Sequence, residues 1–236
     1  MSDTYIRKRI EDNTNSFIIS GYLFGFAVDA GTRDERDNEQ GMAHFVEHII
    51  FKGTQKRKAW HILNRMENVG GDLNAYTNKE ETVVYSAFLA EHFPRAFELL
   101  SDIVFHSTFP QHEIDKEVEV ILDEIQSYED TPSELIFDEF ENLIFKGHPL
   151  GRNILGLPEQ LKRFRSADAL DFVRRYYHPS NMVFFLKGNI DMKKIVHLAE
   201  KYLSDLPSST VISERTPLRS ISPNKSAFIK TPIRHT

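Results

Sequence analysis

In the run Gly41-Met42-Ala43-His44-Phe45-Val46-Glu47-His48-Ile49-Ile50-Phe51, two histidines stand four residues apart with a glutamate beside the second. On a helix advancing about 100° per residue, His44, Glu47 and His48 share one narrow stripe, while Met42, Phe45, Val46 and Ile49 take the opposite side. The apolar side predicts a buried helix. Such a helix carries two imidazoles and a carboxylate only if something satisfies them, because an unpaired buried polar group costs roughly 1–3 kcal/mol. A shared metal ion would do so: neutral imidazoles bind zinc, and a nearby carboxylate that does not bind it can accept a proton from water. The competing expectation, an exposed polar face, is opposed by the apolar side of the same helix.

The chain has 236 residues, 40% hydrophobic and 27% charged, which suits one good core, and a single domain over residues 1–236 is expected. The net charge of −6 and the lack of a long basic tract argue against nucleic acid as a partner. The short mixed run from Lys52 to Lys58 is expected to be a solvated loop. There is no cysteine, which excludes disulfides, thiolate metal ligands and cysteine nucleophiles. Residues 1–15 are polar and charged and no apolar run approaches membrane-span length, so no signal peptide, no membrane partner and a cytoplasmic location are expected.

Residues 16–30 are rich in β-branched and aromatic side chains and predict one or two strands, followed by a turn over 31–40. Residues 59–69 predict a second helix that Gly70-Gly71 terminates, and 72–76 with 81–89 predict a hairpin. A helix is expected over 91–106, with Phe93, Phe97, Leu100 and Val104 as its core stripe. Thr131-Pro132-Ser133-Glu134 reads as a capping box with proline at the first helical position, starting a helix to about Phe145. His148, in the loop 147–156, reads as a turn residue. A helix from Ser166 ends before His178-Pro179, residues 182–186 predict a short buried strand, and Asp191 caps a further helix ending near Pro207. Residues 208–224 look linker-like, and 226–230 begin another strand.

The helix over 111–128 places Ile114, Val118, Ile121, Leu122 and Ile125 on its apolar face. Glu119 and Asp123 point toward solvent. Glu117 and Glu124, seven apart, share the border between the apolar face and water, where they can turn inward or stand as ordinary rim carboxylates.

Several stretches together resemble the pitrilysin-type inverzincin zinc metallopeptidases, in particular the processing-peptidase-like branch. They are AGTRDE (30–35), GMAHFVEHIIFKGT (41–54), GGDLNAYTNKEETVVY (70–85), KEVEVILDEIQSYEDTPSE (116–134) and HPLGRNILG (148–156). The resemblance implies an α+β fold, a mixed or antiparallel sheet with helices packed on one face, forming one half of a clamshell. It implies His44, His48 and Glu124 as ligands of one Zn2+ per chain, Glu47 as general base and Glu117 as a supporting carboxylate. It also implies that the strand carrying Asn74 and Ala75 pairs with an extended peptide substrate. Family members have two homologous halves, and this sequence accounts for the first, so a second half or partner subunit, in a dimer or pseudo-dimer, is expected.

Two other readings compete with a zinc endopeptidase. A non-catalytic peptide-binding subunit would show a lost ligand or base, and all four residues are present. A small-molecule metal lyase of the S-ribosylhomocysteinase kind, which the chain also resembles in carrying H-x-x-E-H, requires a cysteine ligand that this sequence lacks.

Overall fold

Aromatic and β-branched side chains alternate with smaller ones along residues 21–28, and this stretch forms β1 (Gly21–Val28), a central strand of the sheet. The computed structural model describes residues 21–206 together with Arg215 and Pro217. β3 (Thr82–Leu89) pairs with β1 through Gly25↔Tyr85, and β4 (Met182–Lys187) pairs with its other side through Gly25↔Phe185. β2 (Asp72–Thr77) pairs with β3, Asn74 opposite Tyr85, giving the order β2-β3-β1-β4 with every neighbouring pair antiparallel. The fold is α+β, and of the two sheet types expected the described strands take the antiparallel one.

Because side chains alternate along a strand, Tyr22, Phe24, Phe26 and Val28 share one face and are buried with Val84 and Phe88. α3 (Phe93–His106) covers them. Phe24 stacks on Phe97 with centroids 4.7 Å apart, and Phe93 meets it edge-on at 5.8 Å. α8 (Met192–Leu203) packs on α3, with Asp191 accepting the Lys193 N–H at 3.0 Å as its cap. α1 (Met42–Ile49) lies against β2 and β3 and packs on α4 (Gln111–Glu129) and α7 (Ser166–Tyr176). α2 (Ala59–Glu67) ends before Gly70, which takes φ 69°.

Three local expectations need correction. Thr131 does not cap α5 (Pro132–Ile144); its hydroxyl donates to the Ser127 carbonyl at 3.0 Å, back into the preceding helix. Among the described strands the one at 182–187 lies at an edge, with Val183 65% and Phe184 41% exposed, so its apolar run did not signal burial. The Lys52 to Lys58 run is not simply solvated: Lys52 pairs with Glu117 at 2.7 Å, and Arg57 pairs with Asp102 and Glu98 at 2.5 and 2.6 Å. A one-turn helix, α6 (Pro158–Leu161), was not anticipated. The expected strand start at 16–20, nearly all of the linker-like stretch 208–224, and the strand at 226–230 lie outside the described residues.

The loop 147–156 is docked on the start of α1 by two glycines. Gly41 has φ 94° and Gly156 φ 78°, and a Cβ on Gly156 would come within 2.4 Å of the Gln40 carbonyl and of the Gly41 Cα. Any side chain at Gly156 would push the loop off the helix.

Candidate metal centre

Met42, Phe45, Val46 and Ile49 are fully buried, which fixes the rotation of α1 and turns His44, Glu47 and His48 toward α4 and β2. Ile114, Val118, Ile121 and Ile125 bury the facing side of α4, and the same rotation carries Glu117 and Glu124 to α1. The two histidine Nε2 atoms stand 3.2 Å apart. Glu124 lies 3.5 Å from His48 Nε2 and 3.9 Å from His44 Nε2. One donor atom from each of these three residues fits within 4.8 Å of the others, and the adjacent Asp123 is not in the set. Glu124 is 43% exposed, so the cluster opens to solvent on that side.

This donor set fits a zinc ion. Burial, reinforced by the charge of His48, pushes the His44 imidazole down to about 3, so it is neutral with a lone pair to offer. Glu117 Oε1 lies 3.1 Å from His48 Nδ1, a contact suited to an Nδ1–H donor that orients the ring with Nε2 toward His44. Burial lowers the His48 pKa, but the Glu117 bond and the surrounding carboxylates outweigh it and the net shift is upward. For Glu117, burial acts upward and is outweighed by His48 and Lys52, leaving it below the usual carboxylate range. The two Nε2 atoms face each other across 3.2 Å with a carboxylate beside them, so a metal ion can take the place of the proton that otherwise joins them.

Glu47 stands apart from this set. Thr77, the last residue of β2, is the neighbour whose hydroxyl and backbone act to lower its pKa. Burial outweighs Thr77 and the His48 charge, and the net shift is upward. Asn74 and Ala75 lie on β2, an edge of the described sheet; Asn74 is exposed, and its Oδ1 accepts the Ala75 N–H at 2.8 Å. His148 accepts the Leu150 N–H at 3.2 Å, in keeping with a turn role.

Three residues near the cluster escaped the sequence reading: Thr77, Lys52 and Glu35. The buried Glu35 accepts the N–H of Gly41 at 2.9 Å and of Ala43 at 2.8 Å, capping α1 where Gly41 has no side chain to do so. Burial pushes its carboxyl up to about 8, opposed by those two bonds. A carboxyl raised in the folded state contributes stability that is complete below its unfolded value and is lost as pH climbs toward 8. Thermal unfolding is therefore expected to show stability declining between about pH 5 and pH 8, and Glu35→Gln should flatten that decline. The same variant should lose roughly 1–3 kcal/mol at pH 5, where its amide NH2 meets a backbone N–H. An unchanged slope would show that Glu35 is not the titrating group.

Fold and site together define an α+β domain with a candidate metal centre on an H-x-x-E-H helix. The insulinase family (peptidase family M16) matches residues 22–157, and the peptidase M16 inactive domain matches residues 163–235. The chain belongs to peptidase family M16. The two matched regions share one sheet, since β4 from the second pairs with β1 from the first. An uncharacterized zinc protease of Rickettsia bellii is 41% identical over 80% of this chain and 46% of its own length. The beta subunit of the mitochondrial-processing peptidase of Saccharomyces cerevisiae is 39% identical over 80% of this chain and 41% of its own. The periplasmic protease PqqL of Escherichia coli superposes with a TM-score of 0.78 at 27% identity, over 85% of this chain and 23% of its own. Pitrilysin shares the fold, with a TM-score of 0.77 at 19% identity over 86% of this chain and 22% of its own. The chain spans less than half the length of these curated relatives.

Proposed function

We propose that this domain is the metal-holding and base-bearing half of a zinc-dependent endopeptidase that cleaves extended peptides or unfolded segments. The observation that carries this reading is the division of labour within one turn of α1: His44 and His48 converge with Glu124, while Glu47 lies outside that donor set. His44, His48 and Glu124 would hold one zinc ion per chain. Zinc in such a site supplies Lewis acidity, polarising a peptide carbonyl and acidifying water. Glu47, with its pKa raised by burial, takes the proton of the attacking water and delivers it to the leaving amine. Glu117 orients His48 through Nδ1, and Lys52 holds Glu117. Asn74 and Ala75 would present the β2 edge to the backbone of the peptide.

The greater length of the zinc protease and processing-peptidase relatives supports a further expectation: a homologous second half or partner subunit is needed to fix the substrate. A misplacement of about 1 Å can cost 10²-fold, so this chain alone should bind one zinc and cleave peptides about 10²-fold more slowly than a two-half protein. The measurement is peptide turnover by the two at matched zinc content. Equal rates from a strictly monomeric single half would overturn the two-half reading, and no bound zinc would overturn the metal assignment.

A further inference from the structure

The basic run Lys52 to Lys58 leads into α2, and its second half frames an open cleft of about 320 Å³ that the site described above does not use. Lys56, Arg57, Trp60, Asn64, Arg65 and, from α3, Arg95 line it. The guanidinium groups are held in place. Arg57 donates to Glu98 at 2.6 Å and to Asp102 at 2.5 Å, Arg65 donates to the other Glu98 oxygen at 2.9 Å, and Arg95 donates to the Arg65 carbonyl at 3.1 Å. Two carboxylates thus answer four cations, and neither carboxylate is among the residues that line the cleft. Lys56 and Arg95 have no carboxylate partner among the described residues. In a chain whose net charge is −6, this excess of positive charge is local.

Trp60, the one tryptophan of the sequence, is 60% exposed at this cleft, with its ring 4.1 Å from that of His61. An exposed indole among guanidinium groups is the composition of a recognition surface rather than of an idle one, since Trp offers apolar area and Arg pairs with carboxylates. The cleft also lies near the strand proposed to receive substrate. Asn64 and Arg65 belong to the end of α2, Asn68 is its C-cap and also lines the cleft, and only residues 69–71 separate Asn68 from β2. Four residues span at most about 14 Å, so the Asn68 side of the cleft is within that distance of the Asp72 end of the β2 edge.

We propose that this cleft is an exosite for an acidic segment of the peptide substrate, its four cations taking carboxylates and Trp60 taking an apolar side chain between them. The inference rests on the reading of the domain as an endopeptidase that pairs peptides with β2. The cations come from three elements, the segment before α2, α2 itself and α3, which suits several carboxylates along a chain better than one compact anion. With about 3.3 Å per extended residue, the length of β2 and the further 14 Å place the acidic segment within roughly ten residues of a scissile bond held on that strand. Exposed ion pairs are individually weak and screened by salt, so two or three together amount to about 10-fold in affinity.

The test has a binding arm and a turnover arm. In the first, the emission of Trp60 is followed while the chain is titrated with a blocked peptide of alternating Glu and Leu, with its Gln counterpart and with inorganic phosphate. The acidic peptide should move the emission and bind about 10-fold more tightly than the Gln peptide, and about 0.5 M salt should abolish the difference. In the second, a cleavable peptide with an acidic flank should show a KM about 10-fold below that of its Gln-flanked counterpart in the complete active protein, at equal kcat. Lys56→Glu combined with Arg95→Glu should erase both differences. Lys56→Glu alone, at an exposed position, should erase part of each if the double change fails to fold, as thermal unfolding will show. Equal affinity for the Glu and Gln peptides, an emission that does not move, phosphate binding as tight as that of the acidic peptide, or a KM blind to the acidic flank would each overturn the proposal. Absence of hydrolysis for every peptide refutes the endopeptidase reading, whereas the binding arm needs no turnover and reports on the cleft alone.

Discussion

Glu47→Gln should bind zinc as the wild-type protein does and lose peptide hydrolysis by roughly 10²- to 10⁴-fold, the usual worth of a general base. The expectation follows from position. Glu47 lies outside the donor set formed by His44, His48 and Glu124. Gln keeps the shape and one acceptor oxygen, so the helix remains while the capacity to take a proton is lost. Zinc content by elemental analysis and turnover of a peptide substrate are the two readouts. Loss of metal would show that Glu47 is a ligand, and retained turnover would show that it is not the base.

Glu124→Ala should weaken zinc binding by more than about 100-fold, since even outer partners of metal ligands are worth 10- to 100-fold. Asp123→Ala should leave affinity near the wild-type level. The two carboxylates are adjacent on α4 and differ only in direction: Glu124 reaches within 3.5 Å of His48, and Asp123 is exposed and outside the donor set. Competition titration against a metal chelator measures both. Equal losses would mean that α4 presents a different face to α1 from the one described.

What was legible in the sequence was whatever a helical period decides within one element. Met42, Phe45, Val46 and Ile49 set the rotation of α1, Ile114 to Ile125 set that of α4, and the pairing of His48 with Glu117 and with Glu124 agrees with those two rotations. Contacts made across the fold were not legible. Glu35 caps a helix that begins several residues later, Lys52 reaches α4, and Thr77 acts on the Glu47 pKa only because β2 ends beside α1. Local rules also failed where two partners compete. Thr131 had the spacing of a capping box, yet its hydroxyl found the Ser127 carbonyl already in place at the end of α4. The apolar run Val183-Phe184-Phe185 suits a buried strand and an edge strand equally, since periodicity alone carries no information about what lies alongside.

The Ala75 N–H on the β2 edge is already occupied by the side chain of its own neighbour, Asn74. An incoming strand must exchange that bond for its own, forgoing about 0.5–1.5 kcal/mol at this residue before any gain is counted. The toll falls equally on a stray copy of the protein and on a peptide, but only a ligand that makes further contacts beyond the strand recovers it. If peptides add to this edge as proposed, Asn74 would act as a threshold at the sheet margin, tolerating a well-anchored guest while discouraging casual pairing between exposed edges.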